Sequence, residues 1–154
     1  MSKLIPPDIM KAKINLNRIL LGGLLGGIVL DVLSFLVHGV ILGDKYMFFQ
    51  KAGSVLAQPR LMPVQILLTV LSGFPLAILY VIGRSHLGSG PRCAVIIGAL
   101  VGLMNAAGAM AVYSYYNMGA AIPALTFLNN FVGYILATLV AGMIYKDKTE
   151  TASA

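Results

Sequence analysis

Hydrophobic residues fall in four long runs along this chain, and polar or glycine- and proline-rich segments separate the runs. The runs cover residues 19–43, 62–83, 94–113 and 123–145. Each is about 20 residues or longer, which at a rise of about 1.5 Å per residue is enough to cross the roughly 30 Å hydrocarbon core of a bilayer. The pattern therefore predicts an all-α, polytopic membrane protein with four transmembrane helices.

The segment between the first two runs has a different pattern. Phe48, Phe49 and Val55 fall on one helical face, whereas Gln50 and Gln58 fall on the opposite face. This spacing predicts a short helix that lies in the membrane interface between the first and second spans.

Two prolines add detail to the predicted spans. Pro75 lies inside the second span, and because proline has no backbone N–H, we expect a kink near Gly73. Pro123 lies at the start of the fourth span, in the first helical turn, where a backbone N–H would have no helical partner.

The composition agrees with a membrane protein. The 154 residues are 58% hydrophobic and only 10% charged, which is outside the usual range of soluble domains, so membrane lipids are expected around the chain. Eleven basic residues against five acidic ones give a net charge of +6. Basic residues collect where membrane helices reach the cytoplasm, so this excess predicts no nucleic-acid partner.

The distribution of basic residues predicts the orientation. Residues 1–18 contain four basic side chains, and the 84–92 turn and the 146–154 tail contain two each. The other side of the predicted bilayer has three: Lys45, Lys51 and Arg60. Both termini are therefore expected in the cytoplasm. Residues 1–18 then form a retained basic arm, because no cleavage pattern follows them, 19–145 form the transmembrane domain, and 146–154 form a disordered tail.

Asp31 is the only acidic residue inside a predicted span, about 18 Å along the first helix from Ile19. Ser34 and His38 follow at i+3 and i+7 on the same helical face. Carboxyl groups at this depth usually face the interior of the bundle and often mark proton or ion pathways. Two interpretations stay open: a proton relay or ligand site with His38, or an Asp31 that is protonated or hydrogen-bonded to Asn105 and fixes helix packing.

Other polar residues lie at similar depths. Asn129 and Asn130 lie in the outer part of the fourth span, and Gln65, Thr69 and Ser72 share one face of the second. The candidate ligand or proton-relay residues are Asp31, Ser34, His38, Asn105, Asn129 and Asn130. They predict either a polar cavity that opens toward the non-cytoplasmic side or interhelical hydrogen bonds that hold the helices together.

Glycines repeat at intervals of four residues in the first and third spans. The predicted packing residues are Gly22, Gly23, Gly26, Gly27, Gly98 and Gly102, with a further pair at Gly39 and Gly43. GxxxG spacing predicts close helix contacts, either within one chain or between neighbouring chains. The same glycines do not form a nucleotide-binding fingerprint, because no βαβ unit surrounds them.

The sequence predicts neither catalytic residues nor a metal site. Asp31, Ser34 and His38 share one helix, which cannot present them as a catalytic triad, and no GxSxG motif is present. The two histidines, His38 and His86, are far apart in depth, which does not suit a metal site. The cofactor stays unknown, although His38 has the chemistry of an axial ligand for haem or a pigment.

Several segments resemble a group of small bacterial four-helix membrane proteins of unknown function. They are a glycine-rich first span that ends in DVLSFLVHGVILGDKY, the amphipathic stretch after it, and GSGPRCAVIIG at the start of the third span. The resemblance covers about residues 18–148. It implies the same topology and a place in the bacterial inner (cytoplasmic) membrane, and it implies no activity.

Three functions follow as hypotheses. Small size, short polar loops and small-residue packing motifs favour a non-enzymatic subunit or accessory protein of a larger inner-membrane complex, with other membrane subunits or further copies of itself as partners. Asp31 and His38 favour a small transporter or proton-coupled channel. The third hypothesis is a pigment- or haem-binding membrane protein with His38 as axial ligand.

Overall fold

The computed structural model describes residues 14–45, 62–115 and 119–146. Its helices are α1 (Leu16–Ser34), a π-helical segment (Phe35–Ile41) that continues α1, α2 (Met62–Leu71), α3 (Gly73–Leu87), α4 (Pro91–Tyr113) and α5 (Ala121–Ile144). The segments Leu16–Ile41, Pro63–Leu87, Pro91–Tyr113 and Ala121–Ile144 are long and apolar enough to cross a membrane. The predicted all-α, four-span architecture is confirmed.

Three predicted features lie outside the described residues. They are the interfacial helix between the first two spans, residues 1–13 of the basic arm and all but the first residue of the tail. The first helix begins earlier than predicted, at Leu16, because the side-chain oxygen of Asn15 accepts a hydrogen bond from the N–H of Arg18 (3.4 Å) and caps the first turn.

The second span is broken at Ser72, close to the predicted kink. The N–H of Ser72 still donates to the carbonyl of Leu68 (3.0 Å), and its hydroxyl donates to the carbonyl of Thr69 (2.6 Å). Pro75 has no N–H for the carbonyl four residues earlier, so the helical ladder is interrupted between α2 and α3.

The fifth helix is the centre of the bundle. It packs against α1, α3 and α4, while α1 and α4 lie on opposite sides of it without extensive contact among the described elements. The α2 helix packs mainly against α1. The outer surfaces of all the helices are rich in exposed aliphatic side chains, as expected for surfaces solvated by lipid.

Small residues let α1 approach α5 closely. A Cβ atom added to Gly22 would lie 3.1 Å from the carbonyl oxygen of Ala141, and one added to Gly26 would lie 2.9 Å from that of Ala137. The gap between these two helices is therefore too narrow for a larger side chain at either glycine.

The contact of α1 with the second span is closer still. A Cβ atom on Gly73 would overlap the carbonyl oxygen of Gly23 and the amide nitrogen of Gly27, and one on Gly27 would overlap the carbonyl of Val70. On α4, Gly98 and Gly102 face the backbone of α5 near Ile135 and Phe131.

The bundle has two ends, which differ in composition. At one end, here called the terminal end, the N–H of Asn15 donates to the hydroxyl of Tyr145 (3.5 Å), and the guanidinium of Arg84 lies 5.0 Å from the centre of the Tyr145 ring. The opposite end, here called the far end, contains His38 and Tyr113. The hydrogen bond from Asn15 to Tyr145 thus connects the start of α1 to the end of α5.

Candidate functional site

The far end of the bundle contains a polar site that begins on the π-helical segment. Hydrogen bonds in this segment reach back five residues instead of four, as from the N–H of Leu42 to the carbonyl of Val37 (2.9 Å). Each turn therefore holds more residues than an α-helical turn, which brings His38 back over Ser34. The Nδ1 atom of His38 lies 3.0 Å from the carbonyl oxygen of Ser34.

Two hydroxyl groups extend this contact across the bundle. The Nε2 atom of His38 lies 3.1 Å from Thr126 Oγ1 on α5, and Thr126 Oγ1 lies 3.4 Å from the hydroxyl of Tyr113 at the end of α4. We call His38, Thr126 and Tyr113 the polar chain. It connects three of the four spans near the far end.

The direction of the hydrogen bonds in the polar chain follows from the Ser34 carbonyl. A carbonyl oxygen only accepts, so Nδ1 of His38 must carry a proton. When the imidazole is neutral, Nε2 then accepts from Thr126, and the Thr126 oxygen in turn accepts from Tyr113. The chain is thus ordered from Tyr113 through Thr126 to His38.

A second bond joins α5 to α1 beside the polar chain. The side-chain N–H of Asn129 donates to the hydroxyl of Ser34 (3.3 Å). Thr126 and Asn129 are only 5% and 9% exposed, so both bonds are shielded from the surroundings of the bundle. We call Ser34, Asn129 and the polar chain together the far-end cluster.

The structure brings together three of the predicted site residues. Ser34, His38 and Asn129 belong to the far-end cluster, which adds Thr126 and Tyr113. The sequence did not single out Thr126, because threonine is common in membrane helices. One signal was present: Thr126 and Asn129 continue the small-residue face of α5 that contains Gly133 and Ala137.

Asp31, Asn105 and Asn130 are not part of the far-end cluster. Asp31 is half-buried in α1, and none of the bonds of the cluster involves its carboxyl group. Asn105 is exposed on α4 and donates to the carbonyl of Val101 in its own helix (3.1 Å). Since α1 and α4 lie on opposite sides of α5, the interpretation that pairs Asp31 with Asn105 is wrong. Asn130 is half-buried, and its backbone carbonyl faces Gly102.

The polar residues of the second span also stay apart from the cluster. The Thr69 hydroxyl donates to the carbonyl of Gln65 (2.9 Å), and the Ser72 hydroxyl donates to that of Thr69. These bonds lie within α2 or at its end, so they satisfy the hydroxyl groups locally. Similar depth in the bilayer therefore does not make these residues one polar layer.

The far-end cluster defines what cofactor chemistry His38 can support. Axial ligation of a tetrapyrrole needs one ring nitrogen with an available lone pair. Nδ1 is bonded to a carbonyl, so Nε2 would have to leave Thr126. Within the described ranges, no three His, Cys, Asp or Glu side chains are grouped in a way that could hold a metal ion.

Chemically, the far-end cluster can fix the relative positions of α1, α4 and α5, and it can pass a hydrogen-bonded proton between a phenol, a hydroxyl and an imidazole.

Comparisons with protein-family models, curated proteins and solved structures give no match for this chain. The resemblance to small bacterial four-helix membrane proteins stays a prediction.

Proposed function

We propose that this membrane protein is a non-enzymatic subunit or accessory protein of a larger complex in the bacterial inner membrane, with both termini in the cytoplasm. The observation that carries the proposal is the position of Asn105. Its side chain is exposed on α4, eight residues before the helix ends at Tyr113, which is about 12 Å along the axis. An exposed amide at this depth faces lipid in the isolated chain.

Lipid is a poor environment for this amide. Its bond to the Val101 carbonyl uses one donor of the carboxamide, and hydrocarbon offers no partner for the remaining polar atoms. A polar group or a backbone carbonyl on the helix of another subunit would supply one, as amides often do between membrane helices. The position of Asn105 therefore favours a neighbouring helix over lipid.

The residues around Asn105 suit such a neighbour. Five exposed residues share this side of α4, here called the α4 face: Met104, Asn105, Gly108, Ala111 and Val112. A Cβ atom on Gly108 would have no heavy atom within 4 Å. Small residues at Gly108 and Ala111 would allow the backbone of a second helix to come close.

The interior of the bundle favours a structural role over alternating access. Backbone atoms meet directly where α1 crosses α3 and α5 and where α4 crosses α5. Such contacts leave little room for the helices to slide or rock. A rigid bundle with an uncovered polar position on its outside is what we expect of a subunit.

Replacing Asn105 with leucine tests the proposal. We expect partners that co-purify with the tagged wild-type protein in mild detergent to be lost from Asn105→Leu, as measured by mass spectrometry of the purified fraction. The stability of the isolated protein should stay within about 0.5 kcal/mol of wild type, because the side chain is exposed and bonded only within its own helix.

Gln65→Leu is the matched control. It also removes an exposed amide, but Gln65 lies within one turn of the start of α2, where the interface can solvate it. Partners should remain bound to this variant. A wild-type protein that purifies alone as a monomer, or an Asn105→Leu variant that keeps all its partners, would contradict the proposal.

A second candidate function is a proton-coupled channel or small transporter that uses Asp31 and His38. The polar chain favours it, because each of its three groups can both donate and accept a hydrogen bond. For this function we expect proton flux into proteoliposomes to fall at least about tenfold in Asp31→Asn and in His38→Gln. Asp44→Asn is the control, since Asp44 is an exposed acid just beyond the span. Unchanged flux in the first two variants would remove this candidate.

A further inference from the structure

A cavity of about 250 Å³ lies between α3, α4 and α5 at the terminal end. Its walls include the Tyr80 ring, Pro91, Ala94 and Leu139, and they are almost entirely apolar. Met143, which is 72% exposed, lies at its edge, so the cavity opens on the outside of the bundle. This position places the opening beside lipid near one surface of the bilayer.

The walls of the cavity are held in place by several contacts. The hydroxyl of Tyr80 accepts a hydrogen bond from the N–H of Gly90 (3.2 Å), and its ring packs edge-on against Tyr145 (6.5 Å between centroids). A Cβ atom on Gly142 would lie 2.9 Å from the Tyr80 ring, so no larger residue at this position would leave the ring where it is. The cavity is therefore part of the packed structure.

Basic residues lie close to the opening along the chain. Arg92 directly follows Pro91 in the wall, Lys146 follows Met143 by three positions, and both are exposed. Arg84 lies over the ring of Tyr145, next to Tyr80. The two acidic residues of the described ranges, Asp31 and Asp44, lie farther along the first span and beyond it. Among the described residues, the charged side chains that lie closest to the opening along the chain are therefore basic.

We infer that this cavity binds an anionic phospholipid, with acyl carbon atoms in the apolar cavity and the phosphate beside Arg92 and Lys146. An apolar cavity open to lipid, with basic residues at the depth of the headgroups, is complementary to both parts of such a molecule. Basic pockets between membrane helices bind anionic headgroups in this way. The site lies at the end opposite the far-end cluster and does not depend on the proposed subunit role.

Thermal unfolding of the full-length protein tests the inference. After delipidation in a neutral detergent, phosphatidylglycerol should raise the unfolding temperature in a saturable way, because a ligand of the native state stabilises it. Phosphatidylcholine with the same acyl chains should produce a much smaller shift, and inorganic phosphate should produce none. An equal shift with phosphatidylcholine would reject a site for anionic lipid, and a full shift with phosphate alone would reject a lipid site.

Three exposed positions separate the parts of the site. Arg92→Gln and Lys146→Gln should each weaken the apparent affinity for phosphatidylglycerol roughly fivefold. Met143→Trp should also weaken it by obstructing the opening, without changing the unfolding temperature in the absence of lipid, since Met143 is largely exposed. Lys45→Gln, which removes an exposed cation at the far end, is the control. The inference would be overturned if Lys45→Gln weakened the affinity for phosphatidylglycerol as much as Arg92→Gln or Lys146→Gln does. It would also be overturned if Met143→Trp left this affinity unchanged.

Discussion

Gly73→Leu is expected to destabilise the bundle by at least about 3 kcal/mol and to reduce sharply the yield of monodisperse protein. A Cβ atom at this position would overlap backbone atoms of Gly23 and Gly27 on α1. Overpacking typically costs only about 1–3 kcal/mol where the neighbouring side chains can rotate away. Backbone atoms inside a helix cannot do so, and α1 would have to separate from α3. Thermal unfolding in a fixed detergent, together with size-exclusion chromatography, measures the effect.

Gly108→Leu is the matched control, since it makes the same change in another membrane helix. No heavy atom lies within 4 Å of a Cβ atom at Gly108, and leucine has a helix propensity better than that of glycine by up to about 1 kcal/mol. The isolated protein should therefore be as stable as wild type or slightly more stable. Gly26→Leu should fall between the two, because the nearest atom is a single carbonyl oxygen of α5 at 2.9 Å. Equal unfolding temperatures for Gly73→Leu and Gly108→Leu would contradict the packing described above.

Thr126→Val is expected to cost about 1–3 kcal/mol of stability, although valine has nearly the same shape as threonine. The substitution removes the hydroxyl that donates to Nε2 of His38 and accepts from Tyr113. It leaves a shielded imidazole nitrogen without this partner, and a buried polar group that loses its partner costs roughly this much. The free energy of unfolding of the variant, measured in detergent, provides the test.

Thr138→Val is the appropriate comparison, because Thr138 is also a buried threonine of α5. Its hydroxyl donates only to the carbonyl of Tyr134 in the same helix (2.7 Å), and that carbonyl keeps its helical environment in the variant. We expect a loss below about 1 kcal/mol. If both variants lose the same free energy of unfolding, the hydrogen bonds of the polar chain do not stabilise the folded state.

The fold could be predicted from the sequence because one physical requirement dominates it. Every backbone polar group in lipid must be satisfied within its own segment, so long apolar runs become helices whatever their detailed packing. Even the break near Gly73 was predictable, since Pro75 removes a backbone donor. The start of α1 was predicted less well, because Asn15 caps the helix before the apolar run begins.

The site was predictable only in part, since depth follows from sequence position but helix rotation does not. Ser34 and His38 were expected on one face, and both point to α5. Asn105 lies at a comparable depth but on the exposed face of α4, where it cannot reach Asp31. The face that a membrane helix turns to its neighbours depends on the small residues of both helices. The sequence shows where the small residues of each helix lie, but it does not show which of them come into contact.

The π-helical segment was not predictable, because the sequence FLVHGVI has no proline or other residue that demands a wider turn. A π-helical turn takes up more residues than the α-helical turn it replaces, so a relative with one residue fewer between positions 35 and 41 could keep the same helix axis as an ordinary α-helix. An ungapped alignment would then match His38 to a residue that points in another direction, whereas a one-residue gap in this segment would keep the residues before and after it in register. The length of the segment Phe35–Ile41 is therefore as informative as the presence of a histidine when relatives of this chain are aligned.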